Sequence, residues 1–306
     1  MVNLIKIRII LARCLESLLS VFEKISYFAS TKPCIVLKVW AYFGVGKIYK
    51  HRNYGDDLNV FLFRELTSHK IFNAQLLPSS LPHVLGIGSI IHSHCTANSI
   101  VWGSGVMYPN VALPTKPLKV LAVRGKLTRD YFLRNGVDCP NVYGDPALLL
   151  PYVYNPCRNK KYKWGIIAHI QDESDSSLKR LQKKLSDYHM ISFSNYRHWH
   201  DVINEMLECE CILSSSLHGL IISDAYKIPN LWIEFTNPVG RSNFKYFDYF
   251  SSVNRMNEVA VRIGNVDIAI LKEKICAYKS IIIDLKPLIK AAPFDIKQSV
   301  LEQIKI

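Results

Sequence analysis

The strongest constraint on the fold is an alternation of short apolar runs with helical segments that starts near residue 33, pauses, and starts again. Strand-like runs lie at 34–42, 83–91, 99–102 and 118–123, with helical periodicity at 58–67 and 126–135. The segment YVYNPCRNKKYK (152–163) is polar, basic and aperiodic, and reads as a linker. Beyond it, strands at 164–170, 189–193, 210–214 and 230–235 alternate with helices at 174–187, 197–208 and 217–226, followed by a strand-like 258–263 and a helical tail from about 266. Short buried strands separated by helices predict parallel sheets covered by helices, the α/β class. Two such halves predict two Rossmann-type domains facing across a cleft. The expected division is an amphipathic segment 1–32, a first domain 33–152, a linker 153–163, a second domain 164–270 and a helical tail 271–306. Ligands in such sheets bind beyond the carboxyl ends of the strands, so site residues are expected in the loops there.

Composition supports a globular chain and narrows its partners. With 306 residues, 49% hydrophobic and 21% charged, the chain is not disordered and needs no disulfide or metal to fold. Lys and Arg number 38 against 25 acids, a net charge of +13 that predicts an anionic partner. The basic residues are spread out and form no basic-aromatic module, so nucleic acid is not expected. The eight cysteines show no CxxC spacing, and Cys209 and Cys211 lack a matching histidine pair. Reduced thiols and a cytoplasmic location are expected, without a metal site. Residues 1–30 do not read as a signal peptide: Arg13 interrupts the apolar run 9–12 and no small-residue cleavage site follows. Leu4, Ile7, Leu11, Leu15, Leu18, Phe22 and Ile25 share one helical face, opposite Lys6, Arg13, Ser17, Ser20 and Lys24. Such a helix either packs on the core or lies peripherally in a membrane interface.

Five loops carry residues that packing alone does not explain. HRNYGDDLN (51–59) sets Asn53, Asp56 and Asp57 around a glycine just before a helix, more acid than a cap needs. GIGSI (86–90) and VWGSG (101–105) end two strands in glycine and serine, so that Gly88, Ser89, Gly103, Ser104 and Gly105 predict a floor for an anion. His92, Ser93, His94 and Cys95 lie between these loops, but with no carboxylate nearby in sequence they do not predict a metal. In VRGKLTRDYF (123–132), Arg124 ends a strand and is expected to project into the cleft and clamp a carboxylate or phosphate. YGDPALLLP (143–151) places Asp145 before a proline turn. In SSSLHGLIISDA (214–225), Ser215, Ser216 and His218 stand where a strand enters a helix. The helix dipole there lowers the imidazole pKa and favours its neutral form, which can act as a base.

In this order, the NxGDD-LN, GIGS…VWGSG, VRGxLTR, YGDPALLLP and SSLHGLIISDA motifs with Pro229 resemble the polysaccharide pyruvyl transferase family, over roughly residues 50–250. The resemblance is closest to the branch that builds pyruvate ketals on exopolysaccharides. FKYFDYFSS (244–252) is similar to a further block of the family. The resemblance implies a GT-B-like fold and transfer of a pyruvyl group from phosphoenolpyruvate to two hydroxyls of a sugar, with no separate cofactor. The family's motif arginine falls on Arg124 and its motif histidine on His218. Many relatives carry an arginine where this chain has Ser216, and Arg241 or Lys245 is expected to replace it from a neighbouring loop.

On this reading His218 is the general acid/base, Asp56 or Asp57 assists or orients hydroxyls, and Arg124 holds the donor with Ser215, Ser216, Gly88, Ser89, Gly103, Ser104, Gly105, Arg241 and Lys245. Asn53 and Asp145 face a sugar acceptor, free or lipid-linked. The competing readings are a GT-B glycosyltransferase that uses a nucleotide sugar, and a non-catalytic module that binds glycan or anionic lipid.

Overall fold

The computed structural model describes residues 2–39, 53–235, 242–264 and 266–306, with side chains from residue 14 onward except residue 16. Among the described residues, ten strands form two parallel five-stranded sheets. The first sheet contains β1 (Cys34–Leu37), β2 (Lys70–Asn73), β3 (His83–Leu85), β4 (Ser99–Trp102) and β5 (Lys119–Ala122), in the order β2-β1-β3-β4-β5. The second contains β6 (Tyr162–Ile167), β7 (Tyr188–Met190), β8 (Cys209–Ser214), β9 (Asn230–Glu234) and β10 (Val261–Arg262), in the order β7-β6-β8-β9-β10. Counted from its own first strand, each sheet has the doubly wound order 2-1-3-4-5, with a switch point between its first and third strands. The switch points therefore lie between β1 and β3 and between β6 and β8.

The helices follow from local chemistry. Asn53 caps the helix Tyr54–Leu66 by accepting a hydrogen bond from Gly55 N, and Leu58, Leu62, Phe63 and Leu66 bury its apolar face. Asp175 and Asp267 cap Ser176–Lys184 and Ile268–Cys276 in the same way. The helix Leu217–Ala225 is apolar almost all round, and Leu217, Leu220, Ile221 and Ile222 are buried.

Several elements depart from the sequence expectation. β2 was not foreseen: it is four residues long and begins at the exposed Lys70. The run 83–91 is strand only over His83–Leu85, because glycines break it before the short helix Ile91–His94. β6 starts at Tyr162, inside the stretch read as a linker. The tail is not one long helix but three short ones, Ile268–Cys276, Lys286–Lys290 and Gln298–Ile304. Pro287 opens the second and Pro293 follows it, so a continuous helix is excluded by the missing N–H groups.

This tail returns to the first sheet. Trp102 Nε1 donates to Leu288 O at 2.9 Å, Lys297 N donates to Leu66 O at 2.8 Å, and Phe294 packs against both Phe63 and Trp102. The largest apolar cluster accordingly runs from Ile35 and Trp102 through Leu220 and Trp232 to Leu288 and Ile304, without a break between the halves. The helix Phe244–Ser252, which follows β9, also crosses over and packs on the helix Lys126–Arg134.

Candidate active site

A cavity of about 340 Å³ opens at the carboxyl ends of both sheets. The first half lines it with Asn53 and Asp56 after β1, Ser89, Ile90, His92 and Ser93 after β3, and Met107 and Tyr108 after β4. From the second half come His169 after β6, Ser216, Leu217 and His218 after β8, and Lys245 after β9. It thus sits at both switch points, where doubly wound sheets leave a crevice.

The first-half wall is fixed by side chains that imitate backbone. Asn59 donates from Nδ2 to Ile87 O at 2.9 Å and accepts from Ile87 N at 2.7 Å, which ties the helix Tyr54–Leu66 to the loop after β3. Gly88 turns that loop with φ +113°, a conformation that favours glycine, and passes close to Asp56 Oδ1. Its carbonyl accepts from Ser104 Oγ at 2.8 Å and from Gly105 N at 3.0 Å, stacking the two glycine loops.

Asp56 is buried and accepts from Asn53 Nδ2 at 2.8 Å. Burial, and then the neighbouring Asp57, push its carboxyl up to about 7, against a smaller opposing pull from Lys245. Near neutral pH it is therefore a carboxyl that keeps its proton about half of the time.

His218 occupies the first turn of Leu217–Ala225, in the cavity wall. Burial, and then Lys245, Arg124 and His169, lower its pKa to about 3. Burial, the largest of these causes, favours the neutral imidazole. The group whose pKa lies near neutrality is Asp56. Gly55 makes room for the ring, since a Cβ there would lie 1.9 Å from His218 Nδ1. His218 Nε2 is 4.0 Å from Asp145 Oδ2, and neither buried atom has a hydrogen-bond partner.

Other predicted site residues stand elsewhere. Arg124 does not reach into the cavity but is fully buried beneath it. Its Nε donates to Asp248 Oδ2 at 2.9 Å, Nη2 to Val106 O at 3.0 Å, and Nη1 to Ser89 Oγ. Asp248, from the helix Phe244–Ser252, supplies a buried counter-charge remote in sequence, and Arg124 supports Ser89 instead of facing solvent. Gly105 lies against its guanidinium and Gly103 against Pro146. Asp145 is fully buried behind His218, not on an acceptor-facing wall, because Oδ1 caps the helix Pro146–Tyr152 by accepting from Ala147 N at 3.0 Å. Burial raises its carboxyl to about 6. Asp57 is absent from the lining and accepts from Tyr196 Oη. Ser215 is buried in a network, donating to Asp172 Oδ2 at 2.7 Å and accepting from His169 N at 2.9 Å. Ser216 and Lys245 do line the cavity, whereas Arg241 lies outside the described residues.

Sequence reasoning missed His169, Asp248, Met107 and Tyr108. His169 had a usable signal, since it ends the strand-like run 164–170 at the carboxyl edge of the sheet. Lys245 is the one lysine or arginine among the described lining residues; it sits 5.2 Å from the Tyr246 ring, which stacks on Trp232. Among the described residues, no group of three or more His, Cys, Asp or Glu is arranged to hold a metal ion. None of their helices is long and apolar enough to cross a membrane.

Comparison with known proteins agrees with the motifs. A model of the family "Polysaccharide pyruvyl transferase" matches residues 97–237, which include Gly103, Arg124, Asp145, His169 and His218. The chain is 26% identical over 211 residues to an uncharacterized protein of Acanthamoeba polyphaga mimivirus, covering 66% of this chain and 71% of that protein. It is 27% identical over 209 residues to the succinoglycan biosynthesis protein ExoV of Rhizobium meliloti (strain 1021), covering 65% of this chain and 61% of ExoV. The match therefore spans less than two thirds of ExoV. With its motifs in order and Asn53, Asp56, Ser89, Ser216 and His218 of those loops lining the cavity, the chain is similar, over residues 97–237, to the polysaccharide pyruvyl transferase family.

Proposed function

We propose that this protein transfers the pyruvyl group of phosphoenolpyruvate onto two hydroxyls of a sugar, in a polysaccharide or its lipid-linked precursor, and leaves a cyclic ketal. The observation that carries the reading is one cavity combining a protonated carboxyl, a neutral imidazole and a cation: Asp56, His218 and Lys245. The like strand order of the two sheets, with the cavity at their carboxyl ends, supports a GT-B-like arrangement.

The donor carries a phosphate and a carboxylate. Lys245, the Ser216 and Ser89 hydroxyls and the amino-terminal N–H groups of Leu217–Ala225 offer charge and donors to such anions. Asp56 delivers its proton to the methylene carbon, and C2 becomes cationic. A sugar hydroxyl attacks C2 and gives its proton to the neutral His218 imidazole. The second hydroxyl then attacks C2, the C2–O bond to phosphate breaks, and phosphate leaves with a proton. Two protons leave the hydroxyls; one balances that placed on the methylene and the other departs on phosphate. Lys245 offsets the charge growing on the leaving group. Donor and acceptor balance the reaction, so no cofactor is proposed.

Incubation with phosphoenolpyruvate and a panel of glycosides tests the reading. Phosphate release that needs both substrates is expected, with a product heavier by one pyruvic acid less one water. Turnover of a nucleotide sugar, with no phosphate released from phosphoenolpyruvate, would overturn it in favour of a glycosyltransferase.

The contact between Gly55 and His218 gives a second test. Gly55→Ala should push the imidazole out of place and lower kcat by about 100-fold, the scale of a misplacement near 1 Å. Circular dichroism should show the fold retained. Full activity in the variant would mean that the imidazole's position does not matter.

A further inference from the structure

The helix Val2–Phe28 is attached through polar groups. Ser20 Oγ donates to Leu76 O at 2.7 Å, Glu23 Oε1 accepts from Asn73 N at 2.8 Å, and between them they tie the helix to the segment that begins with β2. Tyr27 packs edge-on against Phe72 at 5.3 Å and completes that contact. Ser20, Glu23 and Tyr27 follow helical spacing and mark the attached face.

The outward face is apolar. Leu18, Val21, Phe22, Ile25 and Phe28 recur at the same helical spacing, with exposures from 52% at Val21 to 68% at Phe28. Isolated exposed apolar residues need no explanation, but five along one stripe of a helix form a patch that water disfavours. Two occupants suit such a stripe: a second copy of the chain or the interfacial layer of a bilayer.

Charge separates the two. The chain carries +13 overall, and residues 1–32 contribute Lys6, Arg8, Arg13, Lys24 and Lys32 against Glu16 and Glu23. A second copy would bring like charge to like charge, whereas an anionic membrane surface attracts each nearby Lys or Arg. Lys24 and Lys32 are exposed. At 27 residues the helix is about 40 Å long, enough to lie along a surface, and none of the described helices meets the requirement for crossing one.

We infer that the stripe Leu18, Val21, Phe22, Ile25 and Phe28 is a peripheral docking surface for an anionic lipid bilayer, with the helix lying in the interface and the flanking lysines over the headgroups. This inference does not rest on the pyruvyl transfer reading, and it is tested without turnover.

The full chain is sedimented with vesicles of phosphatidylcholine alone and with vesicles of phosphatidylcholine and phosphatidylglycerol in equal parts. Binding to the anionic vesicles is expected, falling as salt rises from about 0.1 M to about 1 M. Replacing Leu18, Phe22 and Ile25 together by serine should reduce partitioning by about 100-fold or more. These side chains are exposed, so the variant should keep the wild-type melting temperature. No binding by the wild type, equal binding to neutral vesicles, or undiminished binding by the variant would each overturn the inference. So would a wild-type dimer in light scattering that the variant loses, with no vesicle binding, since the stripe would then serve a second copy.

Discussion

Replacing Asp56 by asparagine should slow pyruvyl transfer by about 100- to 10,000-fold, the usual contribution of a positioned acid or base. It should also change the pH profile. With its carboxyl near 7, wild-type Asp56 loses its proton as pH rises through neutrality, so kcat should fall on the alkaline side. The residual activity of Asp56→Asn should lack that limb. His218→Ala should cause a loss of similar size without moving the limb, because an imidazole with pKa about 3 does not titrate there. An alkaline limb that survives in Asp56→Asn would remove Asp56 from the acid role. Stability supplies a second readout of the same group. The folded carboxyl holds its proton more tightly than the unfolded one, so between about 4 and about 7 the folded state binds more protons and stability declines as pH rises. That component of the slope should vanish in Asp56→Asn, as followed by urea unfolding across this range.

Asp248→Ala should destabilise the protein by about 3–5 kcal/mol, because it strands a buried arginine without its counter-charge. Arg124 and Asp248 are both fully buried, and Asp248 also accepts from Thr128 N and Thr128 Oγ1, each at 2.7 Å. The carboxylate therefore joins the helix Phe244–Ser252 to the start of Lys126–Arg134 while it neutralises Arg124. Replacing both partners with apolar residues, Arg124→Met with Asp248→Leu, should recover part of the loss, since neither charge is then left alone. The midpoint of urea unfolding at constant slope measures both effects. A shift under about 1 kcal/mol for Asp248→Ala would show that the pair contributes little. The double variant also frees Ser89, so it should turn over more slowly than wild type even where its stability recovers.

Much of the architecture was legible because buried parallel strands leave a strong pattern. Runs such as SIVW at 99–102 and CILS at 211–214 have few other uses, and the helices between them carry clear caps and periodicity. β2 escaped because an edge strand of four residues, polar at both ends, resembles a loop. The tail escaped for a different reason: its cover over Trp102 and Phe63 is a long-range contact that local periodicity does not encode. The site was legible in part. The carboxyl-end rule selected the loops holding Asp56, Ser89, Ser216 and His218, all of which line the cavity. It could not reveal that Arg124 would find Asp248 124 positions away, nor that Asp145 would stand behind His218. Direction of a side chain at a strand end depends on what packs against it, and in both cases that partner is remote in sequence.

The path of the tail has a consequence for how the chain is made. Leu288, Phe294, Val300 and Ile304 share the apolar cluster that contains Trp102 and Phe63. The first sheet is synthesised early, yet its outer layer is completed only by residues near the carboxyl end. During synthesis that surface remains open to solvent and to chaperones until residues 288–304 have emerged, so the half made first is the last to be closed.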